Sequence, residues 1–271
     1  FRLFPTELET VYEEKNRSLD NPERILNEAL DRQVWKDHPY GRTVLGSVEH
    51  LKNPSLAKMY AFYGANYIHN NMAVVLSGDF DREEMLALVA KHFGAWKPKA
   101  LPKPAPFRIV KPRGVERVEV SYESEEQVVL SWHTVPAGHP DVDALTVMDM
   151  LMANSRTGII DLDLVQAQKV KSASSANDFL NEGGVWQMWA VPKKDQTLEE
   201  AEALLMAALA KLKTGAFADE DIAAVITNFE VGQKAGLESN ENRASFMANS
   251  LKLPVGLRLA SWNGCSALRG S

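Results

Sequence analysis

Five prolines fall within fifteen residues, at positions 98, 102, 104, 106 and 112. Each fixes φ and removes a backbone donor, so the stretch can be neither a helix interior nor a central strand. Interspersed lysines give it the composition of a semi-rigid spacer. The spacer predicts two folded parts, 1–97 and 115–252, joined by a linker at 98–114. The length of 271 residues agrees, since domains run to roughly 150 residues each.

Several function classes are excluded by composition. The formal net charge of -6 lacks the basic footprint of a nucleic-acid binder. No apolar run approaches the ~18 residues of a membrane-spanning helix. The single cysteine, Cys265, excludes an internal disulfide and a cysteine-based zinc cluster. Residue 1 is phenylalanine and no signal-peptide pattern follows, so the chain is expected to be a fragment. Residues 253–271 show neither helical nor alternating periodicity and are read as a poorly structured tail; an origin in cloning fits them.

The first part reads as mainly helical. Thr6, with Glu9 three positions on, has capping-box spacing, and Pro22 predicts a stop and restart within the span to Trp35. A His38-Pro39-Tyr40-Gly41 loop follows, then a helix over 54–67. The apolar run Met72–Ser77 predicts a buried strand, and Asp79 and Asp81 a turn that caps a helix over 82–93. In the second part, strands are predicted over 115–122, 127–134, 170–179 and 185–191, with helices over 141–153, 199–212 and 219–234. Residues 72–94 and 185–212 share one order: strand, Asp-containing turn, Glu-Glu, amphipathic helix. The fold class is α+β: two α/β sandwich-type domains, mostly antiparallel sheets with helices on one side, the first domain incomplete.

Complete catalytic machinery is not visible. There is no phosphate loop, no nucleophile elbow and no H-E-x-x-H. The six histidines are scattered without i, i+4 pairing and read as surface or satisfied core residues. Trp186 and Trp189, three apart in a strand, face opposite sides. What stands out is the first helix. Glu7 and Glu14 are seven positions apart, two turns, so they project from nearly the same face beside an apolar stripe of Leu8, Val11, Tyr12 and Leu19. Two carboxylates bordering such a stripe could donate oxygen to a divalent cation. They could equally form a solvated acidic face near a helix N-terminus, where the dipole favours glutamate.

The segments ELETVYEEKNRSLDN, HPYGRTVLGSVEHL and LAKMYAFYGANYIHNNMAVVLSGDFDREEML, in that order, resemble the insulinase/pitrilysin family of zinc metallopeptidases. VVLSWHTVPAGHPDVDALTVMDMLMA resembles the family's next α/β domain, and the likeness runs over about residues 4–250. Members carry H-x-x-E-H on one helix and the third zinc ligand on a later Glu-rich helix, the second of two glutamates at this same spacing. The resemblance implies Glu14 as that ligand and Glu7 as a supporting carboxylate, with Glu13 the adjacent rival. The H-x-x-E-H helix lies outside the sequence. Residues Ala153–Gly158 depart from the glycines usual after the second domain's first helix.

The resemblance therefore implies part of a zinc-dependent endopeptidase, hydrolysing peptide bonds when whole and inactive as this chain alone. The implied cofactor is zinc, held by the full-length enzyme and not by one carboxylate. The implied partners are a peptide substrate and the other half of a clamshell, on the same chain or on a partner subunit. For a bacterial member the cell envelope or periplasm is the expected compartment. One rival is a non-catalytic homologue acting as a structural or partner subunit; another is a peptide-binding module unrelated to hydrolysis.

Overall fold

The computed structural model describes residues 3–103 and 105–251; the expected tail at 253–271 lies outside them. The chain divides into two compact units: residues up to Val74 with Asp79–Ser124, and Val75–Gly78 with Glu125 onward.

The first unit is built from helices α1 (Phe4–Leu19), α2 (Pro22–Trp35), α3 (Val48–Lys52), α4 (Leu56–Asn66) and α5 (Arg82–Phe93). Pro22 separates α1 from α2 as predicted, and Asn21 caps α2 by accepting the Arg24 N–H. Thr6 is not the cap of α1. The helix starts one turn earlier, with Pro5 in its first turn, where a missing N–H costs nothing. Asp81 caps α5 by accepting the Glu84 N–H at 2.8 Å.

Two predicted strands are not formed. Residues 72–77 and 115–122 make no ladder in the structure, and Met72, Val74, Leu76 and Val118 are exposed. An apolar run reports a tendency to be buried, but a strand also needs a hydrogen-bonded neighbour. Neither run has one among the described residues. The second segment is tied instead by side chains: Glu116 accepts from Lys36 and Gln33 of the α2 end, and the Tyr122 hydroxyl donates to the Leu19 carbonyl. Residues 98–124 thus count with the first unit.

The second unit holds an antiparallel sheet in the order β1 (Val128–Thr134), β3 (Gly184–Val191), β2 (Ser172–Phe179). It is the one sheet among the described residues. The β2–β3 hairpin is the one expected around Gly183-Gly184. Helices α6 (Val142–Met152) and α7 (Leu198–Lys213) cover one face, followed by α8 (Asp219–Gly236) and α9 (Asn240–Ser250). Ala201, Leu205, Ala208 and Leu209 make the buried stripe of α7, at spacings that repeat every 3.6 residues. They meet Trp186, Met188 and Ala190 from the central strand and Met152 from α6. Trp132 and Trp186 lie directly opposite across β1 and β3, ring centroids 5.1 Å apart. Trp186 is buried and Trp189 is not, as the alternation predicts. The fold class is α+β, an antiparallel sheet with helices on one side.

The loop after α6 and the turn that follows were not foreseen. Asp161 is buried, and its Oδ2 accepts the backbone N–H groups of Asn154, Arg156 and Gly158 at 2.8, 3.1 and 3.1 Å. A π-helical turn, Asp161–Gln166, begins there.

Candidate functional site

Helix α1 carries the predicted pair. Phe4, Leu8, Val11, Tyr12, Lys15 and Ser18 are partly or fully buried, each within about 60° of one line along the helix, while Asn16 is partly buried off that line. Leu19, expected in that stripe, is 42% exposed because it ends the helix. Glu7 and Glu14 sit on the flank of the packed face and are exposed. Neither makes a side-chain hydrogen bond or ion pair with the described residues, whereas Glu13 accepts from Asn16 at 3.4 Å. The structure therefore aligns Glu7 and Glu14 on one edge of α1 with both carboxylates open.

The helix beneath them is pinned. The Lys15 ammonium, in a residue only 4% exposed, donates to both oxygens of Glu28 on α2, at 2.9 and 3.1 Å. Lys52 of α3 lies over the Tyr12 ring, 5.9 Å from its centroid. The Ser18 hydroxyl donates to the Lys15 carbonyl.

Open carboxylates are hard oxygen donors, and as such they fit a contribution to a zinc site. They do not make one by themselves. Among the described residues, no group of three or more His, Cys, Asp or Glu side chains could hold a metal ion.

The other sequence candidates are structural. His38 is buried; its Nδ1 accepts the Tyr40 N–H and its ring packs on Trp35, Tyr40 and Phe107. Asp149 was not singled out in the sequence, yet burial pushes its carboxyl above the usual range. It accepts the Ser175 hydroxyl at 2.6 Å and the Trp186 indole N–H at 2.8 Å, both buried neighbours. That makes it a polar knot between α6 and the sheet.

The profile of the Peptidase M16 inactive domain matches residues 54–229, well over half of the chain. The chain belongs to the peptidase M16 family. A zinc protease, PqqE, of Helicobacter pylori is 27% identical over 90% of the chain and 56% of its own length. The ubiquinol-cytochrome-c reductase complex core protein I of Euglena gracilis is 26% identical over 55% of the chain and 30% of its own length. Among solved structures, a protease from Helicobacter pylori superposes with a TM-score of 0.78 at 23% identity, over 92% of this chain and 62% of that one. The chain thus spans little more than half the length of the PqqE relative. Helix α1 lies upstream of the region that the inactive-domain profile matches. No helix among the described residues is long and apolar enough to cross a membrane.

Proposed function

We propose that this M16 chain is the part of a zinc-dependent endopeptidase that supplies the third metal ligand, Glu14, with Glu7 as its supporting carboxylate. The observation that carries the reading is the open, aligned pair on α1, upstream of the inactive domain. Zinc, when bound, polarises a scissile carbonyl and lowers the pKa of a bound water. The work of this chain's residues is to hold. Glu14 contributes one anionic oxygen ligand, and Glu7, two turns away on the same edge, is the supporting carboxylate of the site. The remaining ligands and the proton acceptor come from residues outside this sequence. The substrate of the whole enzyme is a peptide, bound between this part and the opposing half of a clamshell.

The test is zinc stoichiometry on a polypeptide extended upstream to include the H-x-x-E-H helix, beside its Glu14→Gln variant. One zinc per chain, lost or much weakened in the variant, is the expected result. No zinc in either protein would sink the reading.

A second reading has its own observation: one relative is named as a core protein of the ubiquinol-cytochrome-c reductase complex. On that reading the chain is a non-catalytic subunit whose use lies in its contacts. It predicts a degenerate H-x-x-E-H upstream and no effect of Glu14→Gln on any activity.

A further inference from the structure

The ion pair beneath the two glutamates has no part in the site as described. Lys15 follows Glu14 directly, about 100° further round the helix, and points inward where Glu14 points out. Its ammonium is held by both oxygens of Glu28 on α2. Lys15 is buried and Glu28 half-buried, and an ion pair withdrawn from water in this way gains little stability, because desolvation offsets most of the attraction. Its better-attested use is to fix a register between helices.

Register is what a metal ligand on α1 needs. A glutamate carboxylate stands roughly 6 Å from the helix axis, so a 20° roll of α1 carries it about 2 Å. Metal sites hold ligand distances to within about 0.2 Å. Apolar contacts through Leu8, Val11 and Tyr12 are non-directional, and the two-point ammonium–carboxylate contact adds a directional restraint on the roll to them.

We propose that Lys15 and Glu28 are positioning residues for the metal-binding edge of α1, fixing the roll of the helix and through it the place of the Glu14 carboxylate. The inference rests on the reading of Glu14 as a ligand. It concerns neither a ligand nor a group that touches substrate.

The test uses the longer polypeptide that the proposed function requires. Two variants are compared with wild type: Lys15→Met/Glu28→Leu, which replaces the pair by apolar side chains of similar size, and Glu28→Asp, which keeps the charge but shortens its reach. Zinc affinity is read by chelator competition and ligand geometry by the visible absorption of the cobalt form, with melting temperature measured alongside. The expected result is an affinity lower by about 10–100-fold, the usual effect of an outer-shell change, and an altered cobalt spectrum, in at least one variant that melts like wild type. Wild-type affinity and spectrum in both variants would overturn the proposal while leaving Glu14 as a ligand. A Glu14→Gln control that binds zinc like wild type would overturn the ligand reading itself, and the proposal with it.

Discussion

The carboxylate of Asp149, on α6, accepts the indole N–H of Trp186, on the central strand β3, at 2.8 Å. The same oxygen accepts the Ser175 hydroxyl from β2. One side chain thus joins the helix layer to two neighbouring strands through the apolar core. Burial raises its pKa more than these hydrogen bonds lower it.

That balance has a pH signature. An aspartate in the unfolded chain titrates near 3.9, and in the native state Asp149 titrates higher. Between the two values the folded protein binds more protons, so its stability falls as pH rises, and levels off above the native pKa. Asp149→Asn removes this slope. Urea unfolding of the two proteins, from pH 4 upward, should show the variant gaining on wild type as pH increases until the gap becomes constant. A gap independent of pH would refute the assignment. Asp149→Ala also leaves the buried indole and hydroxyl without an acceptor and should cost about 2–4 kcal/mol near pH 4, a cost that shrinks as pH rises because the wild type loses stability over the same range.

Asp161 makes a different kind of claim. Its Oδ2 gathers the N–H groups of Asn154, Arg156 and Gly158 in a loop where Ser155 takes a φ of 65°. Left-handed backbone costs a serine of order 1 kcal/mol or more and persists only where the surroundings impose it. Asp161→Ala should destabilise the fold by about 2–3 kcal/mol. Amide hydrogen exchange at 154, 156 and 158 should speed up well beyond that global loss. Unchanged protection at those three amides would show that the loop is held by something else.

These two aspartates mark where the sequence was readable and where it was not. The hairpin β2–β3, the α7 stripe and the opposite facing of Trp186 and Trp189 follow from local periodicity, which each segment carries in itself. Asp149 sits between two methionines in an apolar helix, a signal that was there to be read, but its partners come from strands more than twenty residues away. Lys15 likewise falls at i+4 from Val11, on the buried side, yet only the structure brings Glu28 to it. Residues 72–77 and 115–122 failed in the opposite sense: their pattern announces strands, and pairing depends on a neighbour that local sequence does not specify. The Glu7/Glu14 alignment was legible because seven residues make two helical turns.

Gly184 tests the sheet. A Cβ there would lie 2.5 Å from the Thr134 hydroxyl, 2.5 Å from the Val135 carbonyl and 2.9 Å from the Asp178 carbonyl. Two of the three are backbone atoms, on either side of the central strand, so neither flank can yield without breaking its pairing at that end. Gly184→Ala should cost about 2–3 kcal/mol. A variant with the melting temperature of wild type would show that the strand ends are looser than this geometry.

The α1 edge predicts an absence of effect that is itself informative. Glu7 and Glu14 are exposed and without partners among the described residues, so Glu7→Gln and Glu14→Gln should each alter the stability of this 271-residue chain by less than about 0.5 kcal/mol. Metal should matter as little. Zinc that binds only the folded state raises stability as RT ln(1 + [L]/Kd), and a single carboxylate offers too few ligands for a low Kd. Thermal melts of this chain should therefore coincide with equimolar zinc and with excess chelator. In the upstream-extended polypeptide the same pair of melts should separate by several degrees, and Glu14→Gln should close the gap. A zinc-dependent shift in the short chain that survives Glu14→Gln would point to a metal site elsewhere in the sequence and remove the reason for assigning one to α1.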